Sequence, residues 1–160
     1  MPSRRAEIAM AGDELERYLT ETKTLVVATT GRDSRPHLTA LWYVMRDAEP
    51  WIFTYAGSQK VRNLERIPQA TLMVESGTEY AQLRGAVLYA EATIHRDPDL
   101  VQEVGEQLFL RYATSGQDGR SGLDEATREA VRTRALKRVA IQFTPTRVVS
   151  WDHSKLGGGY

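Results

Sequence analysis

The stretch His37-Leu38-Thr39-Ala40-Leu41-Trp42-Tyr43-Val44-Met45 decides how this sequence folds. Its residue types favour a strand. Even positions carry Leu38, Ala40, Trp42 and Val44, while odd positions carry His37, Thr39, Leu41, Tyr43 and Met45. A strand with one wet face alternates apolar and polar residues, and this one does not. Both faces therefore need cover. One fills a core; the other calls for a flanking helix, a second subunit or a flat aromatic ligand, because a monomer seldom exposes so large an apolar patch.

The neighbours on either side extend the pattern into a meander. Leu25 to Thr30 is β-branched and short, and Gly31 to Pro36 reads as a turn punctuated by glycine and proline. Arg46 to Pro50 is another turn, and Trp51 to Tyr55 a third strand whose Trp51, Phe53 and Tyr55 share one face. Connections of about five residues suit antiparallel pairing and are too short for parallel crossovers. Further out, Ala70 to Ser76, Gln82 to His95 and Val139 to Phe143 are strands, the last followed by Thr144 to Trp151. Helices are expected at Glu14 to Thr20 (Asp13 capping, Glu16 closing a capping box), at Ser58 to Arg66, from Asp97-Pro98 to Tyr112, and from Ser121 to Lys137. Thr114 to Arg120 reads as a polar loop. The tally predicts a mainly β chain, a six-stranded antiparallel split barrel with flanking α-helices.

One domain accounts for all 160 residues, since domains usually run ~100–200 residues. Within it, 97–138 is a helical insertion and 157–160 a glycine-rich tail. Twenty-one basic residues balance twenty-one acidic ones, which argues against a dedicated nucleic-acid binder. A small barrel that stacks bases on aromatics is the competing class, and the zero net charge counts against it. The absence of cysteine excludes disulfides, thiolate metal sites and a cysteine nucleophile. No apolar run approaches the ~20 residues of a membrane span, and Met1 to Ala11 lacks a signal-peptide core, so a cytoplasmic protein is expected.

Most catalytic signatures are missing. There is no GxGxxG, Walker loop or GxSxG, and His37, His95 and His153 are too scattered for a metal site. The basic set Arg128, Arg132, Arg134, Lys137 and Arg138 reads as a solvated helix face. Gly57 to Asn63 is different: a strand ends at Tyr55, then come Gly57, Ser58 as a cap, Lys60 in the first helical turn and Arg62 close behind. Free backbone N–H groups, a hydroxyl and an ammonium converge as an anion such as phosphate requires. A short connecting helix with incidental bases is the alternative.

The sequence resembles the flavin-binding split-barrel superfamily, the pyridoxamine-phosphate-oxidase-like proteins, and within it the deazaflavin branch that uses coenzyme F420. The resemblance covers about residues 13–156. It rests on Leu25-Val26-Val27-Ala28-Thr29, Arg35-Pro36-His37, Leu41-Trp42-Tyr43, Trp51-Ile52-Phe53-Thr54, Lys60-Val61-Arg62-Asn63-Leu64 with Arg66 and Pro68, Arg84-Gly85, and the ending Phe143 to Leu156. It implies a homodimer of split barrels with cofactor sites at the interface and an F420-dependent oxidoreductase that passes a hydride to a small organic acceptor. An FMN-dependent oxidase or reductase, or a non-catalytic flavin or haem carrier, are the alternatives within the fold. Carried over residue by residue, Ser58 and Lys60 would hold the cofactor phosphate with Arg62 and Asn63 nearby. Pro36, His37, Leu41 and Trp42 would run beside the ring, and Arg84 and Trp151 would arrive from the partner chain. A flavin carries its own redox chemistry, which is consistent with the missing catalytic triad. Should a proton donor be needed, His37, Tyr43 and Tyr55 are candidates. Arg62, Arg66, Arg35 and Lys155 are candidates to line a groove for the carboxylate tail that F420 has and FMN lacks.

Overall fold

The computed structural model describes residues 4–113 and 122–157. Two short helices, α1 (Arg4–Glu7) and α2 (Asp13–Glu21), precede strands β1 (Leu25–Thr30), β2 (Pro36–Leu41), β3 (Val44–Arg46) and β4 (Glu49–Tyr55). Helix α3 (Gln59–Arg66) leads to β5 (Gln69–Ser76) and β6 (Arg84–His95). Helices α4 (Pro98–Ala113) and α5 (Glu125–Ala135) then separate β6 from the long β7 (Arg138–Asp152). The strands form one antiparallel sheet in the order β2-β1-β5-β6-β7-β4-β3, curled into a half-barrel with flanking helices.

There are seven strands, not six, because the stretch from His37 to Met45 is broken at Trp42-Tyr43. Residues before the break pair with β1, Leu41 opposite Leu25, and residues after it pair with β4, Val44 opposite Trp51. One short segment thus supplies both edges of the sheet. The break has a local cause. The Tyr43 side chain turns fully into the core, and its backbone is satisfied by side chains of α4 in place of a strand neighbour: its N–H donates to the Tyr112 hydroxyl at 3.1 Å, and Arg111 donates to its carbonyl. The β3–β4 turn is tighter than the sequence suggests, since only Asp47 and Ala48 intervene, both at positive φ (50° and 63°) as a primed hairpin turn requires.

Three helix starts also bear on the expectations. Gly12, not Asp13, precedes α2, at φ 56°, a conformation glycine adopts freely, and no side chain caps the helix there. Asp97 caps α4 as expected, accepting from the Leu100 N–H at 3.0 Å. Asp124 caps α5, accepting from Thr127 N–H at 2.7 Å, whereas the proposed cap Ser121 and the loop Thr114 to Arg120 lie outside the described residues.

The concave side of the sheet holds the main core, including Leu25, Val27, Ile52, Leu72, Leu88 and Phe143, closed by Tyr18 and Leu19 of α2 and by Val61 and Leu64 of α3. Each such side chain contributes about 1.5–3 kcal/mol by leaving water. The convex side is covered on one half only. Val101, Val104 and Leu108 of α4 pack on Val44, Trp51 and Ala140, so a helix shields Trp51 and Phe53 on the aromatic face of β4 and leaves Tyr55 exposed. The other half leaves Leu38, Met73 and Tyr89 exposed, with Leu38 at 63%. Helix α3 lies across the open end of the half-barrel, from β4 beside one sheet edge to β1 beside the other. No helix among the described residues is long and apolar enough to cross a membrane.

Candidate functional site

The start of α3 gathers polar groups that the protein itself leaves unsatisfied. Ser58 holds the N-cap position in extended backbone, yet its side chain makes no capping hydrogen bond, and its Oγ is buried with no partner among the described residues. Lys60 is 8% exposed, because Val61 and Leu64 draw the helix against the core. Its Nζ donates to Thr54 Oγ1 at 3.1 Å, one neutral acceptor for three N–H bonds. Burial, and then the charge of Arg138, lower the Lys60 pKa from its usual 10.5.

Arg138 completes the group. It opens β7 directly opposite Tyr55, and its guanidinium lies over the Tyr55 ring at 4.1 Å and the Phe53 ring at 4.8 Å. Its Nε is buried without a partner, and among the described residues no carboxylate forms an ion pair with Lys60 or Arg138. Lys60, the Ser58 hydroxyl and the first N–H groups of the helix, with the Arg138 charge near enough to depress the Lys60 pKa and no acid paired to either cation among the described residues, are groups suited to an anion. A buried cation without a counter-charge is costly, which makes a bound phosphate chemically apt here. Beside the cradle, Arg32, Arg62 and Arg66 line an open groove along α3 with Gln59 and Glu65. Glu65 is engaged by Arg96, and Arg66 donates to the Thr30 carbonyl, so Arg32 and Arg62 are the bases left for a ligand.

The other expected site residues divide into two groups. Pro36, His37, Leu41 and Trp42 follow one another along β2 and just past it; Trp42 is 60% exposed and stacks on Tyr112 with ring centroids 4.4 Å apart. His37 lies 3.4 Å from the Thr39 hydroxyl. Asn63 is spent on structure: wholly buried, it accepts from Gln59 at 2.9 Å and donates to Thr29 at 3.0 Å. Arg84 and Trp151 sit at the far end of β6 and β7, where Arg84 pairs with Asp152 at 2.8 Å and Trp151 covers Gly85. One chain does not bring them to Lys60. Lys155 is likewise occupied, by Glu14 at 2.7 Å, and Arg35 pairs with Asp33, so neither joins the groove.

Over residues 11–152 the chain matches the model of pyridoxamine 5′-phosphate oxidase. The protein belongs to that family. Its fold is the flavin-binding split barrel of the pyridoxamine-phosphate-oxidase-like proteins. It is similar to a conserved hypothetical protein from Mycobacterium tuberculosis, at 34% identity and a TM-score of 0.87, over 99% of this chain and 95% of that one. The fold is shared with an F420 reductase (19% identity, TM-score 0.64, 86% and 98% of the two chains). It is shared too with the heme storage protein HutZ of Vibrio cholerae (18% identity, TM-score 0.65, 88% and 96%). No curated protein matches the sequence.

Sequence reasoning did not single out Thr54 and Arg138, two residues found beside Lys60. In the sequence, Arg138 reads with the basic face of the preceding helix. The available cue was its place one residue before the apolar run Val139 to Phe143, which puts it at a strand start.

Proposed function

We propose that the protein is an F420-dependent oxidoreductase acting on a small organic acceptor, working as a homodimer. The observation that carries this is the set of Ser58, Lys60 and Arg138, with no acid paired to them among the described residues, and along the same helix the groove of Arg32 and Arg62. Ser58, Lys60 and Arg138 would hold the coenzyme phosphate, and Arg32 and Arg62 its carboxylate tail. FMN ends at its phosphate and gives such a groove nothing to bind, which favours the longer coenzyme. When bound, the reduced deazaflavin would supply a hydride and a proton, both taken up by the organic acceptor. The residues of the chain then act by position: Leu41 and Trp42 at the end of β2 offer an apolar surface on which the two reactants can be held close together. The exposed Leu38, Met73 and Tyr89 support a second copy on the uncovered half of the sheet. Arg84 and Trp151 would reach the coenzyme only from that copy.

Titration of purified protein with F420 and with FMN, followed by cofactor fluorescence, tests the reading. Micromolar binding of F420 is expected, and binding of FMN alone overturns it. Turnover of the reduced coenzyme with quinones, tetrapyrroles or unsaturated aldehydes separates enzyme from carrier: oxidation no faster than without protein favours the carrier.

A further inference from the structure

A second cavity, of about 330 Å³, opens on the other side of Arg138, between the β2–β3 link, β4 and the two helices of the insertion. That volume is at the lower end of the ~300–1,000 Å³ typical of small-molecule sites. Leu41, Trp42, Phe53 and Phe109 give it an apolar wall, and among the described residues the charged side chains lining it are Arg134 and Arg138. Its back is set by Gly105. A Cβ there would stand 2.9 Å from Val131 and 3.1 Å from the Phe53 ring, so only glycine lets α4 approach this closely. Neither arginine forms an ion pair with a carboxylate among the described residues. The described residues therefore build an apolar chamber lined by two cations, with no acid among them paired to either.

We infer that this chamber is a second ligand site, for a compact apolar molecule carrying one carboxylate, its anionic end held by Arg134 and Arg138 and its body against Trp42, Phe53 and Phe109. Charge complementarity fixes the sign of the ligand, and the apolar wall disfavours a polyanion, whose remaining charges would be desolvated without partners. Arg138 is shared with the phosphate cradle, so the two sites are contiguous. The inference rests on the proposed function only in making this occupant the hydride acceptor; the binding itself does not depend on the coenzyme.

Isothermal titration with 2-naphthoate, octanoate and the neutral 2-naphthamide tests it, alongside F420 titrations of the same preparations. At least one of the two carboxylates is expected to bind the wild type, with 2-naphthamide about tenfold weaker than 2-naphthoate, the scale of a charge-assisted hydrogen bond. Arg134→Met, a change at an exposed position outside the cradle, is expected to weaken the carboxylate about tenfold and leave F420 affinity unchanged. The inference is overturned if neither carboxylate binds, or if Arg134→Met binds it as tightly as the wild type. F420 failing to bind while a carboxylate still does would reject the coenzyme and keep the chamber.

Discussion

Lys60 and Arg138 repel each other, and among the described residues no acid pairs with either: the charge of Arg138 helps lower the Lys60 pKa, and the ammonium donates to the Thr54 hydroxyl at 3.1 Å. A protein keeps such a pair only where something outside the chain balances it, or tolerates the loss of stability. Lys60→Met should therefore separate binding from folding. F420 affinity is expected to fall by about 1.5–3 kcal/mol, the loss of a charged hydrogen bond, while the ligand-free protein melts no lower than the wild type. An unchanged dissociation constant removes Lys60 from the site.

The same substitution carries a pH signature. Because the folded-state pKa of Lys60 lies below 10.5, the unfolded chain binds the extra proton between those two values, so the ligand-free wild type gains stability as pH rises through that window. Below the window the burial penalty is fully present. The melting-temperature advantage of Lys60→Met should thus be greatest near neutrality and shrink toward pH 10.5. Tyr43, pushed up to about 12 chiefly by burial, loses stability in the opposite sense above pH 10, but equally in both proteins, so the difference curve isolates Lys60. A difference that grows with pH would contradict the geometry.

Arg62→Ala distinguishes the tail groove from the cradle. An exposed ion pair contributes roughly 0.2–1 kcal/mol, so F420 should bind a few-fold more weakly and any residual FMN binding should not change. Equal effects on both cofactors would place Arg62 at the phosphate.

The convex face makes a separate prediction. Leu38 is 63% exposed on the half of the sheet that no described helix covers. Sedimentation at micromolar concentration should give a dimer for the wild type and a monomer for Leu38→Lys. A monomeric wild type would reject the dimer.

At the opposite end of β6, Gly85→Ala would set a methyl group 2.2 Å from the Trp151 ring. Overpacking of this kind costs about 1–3 kcal/mol. Thermal melts should show that loss, and Gly85→Ala combined with Trp151→Ala should melt close to Trp151→Ala alone.

Where chemistry is local, the sequence was readable. The Gly31 to Pro36 turn, the Asp97 cap and the short helix carrying Lys60 each follow from a few adjacent residue types, and each stands in the structure. The apolar character of both faces from His37 to Met45 also had its cause, although a helix covers one half of the convex sheet and leaves the other open. What escaped depends on partners distant in sequence. The break at Trp42-Tyr43 needs Arg111 and Tyr112 from α4 to satisfy the freed backbone, and Asn63 is diverted from any ligand by Thr29. Arg138 enters the cradle only through its register with Tyr55, which no local pattern encodes.

Helix α3 spans the mouth of the half-barrel, tied to β4 through Lys60 and to β1 through Asn63 and Arg66. It is a strut across the slit, and the end carrying Ser58 and Lys60, held to the sheet by one side-chain hydrogen bond against two at the other end, is the looser of its two anchors. Loading that end would tighten the strut, so occupancy is coupled to the stiffness of both sheet margins. Amide exchange in β2 and β3 should then slow together when the coenzyme binds, although the two strands sit at opposite borders of the sheet.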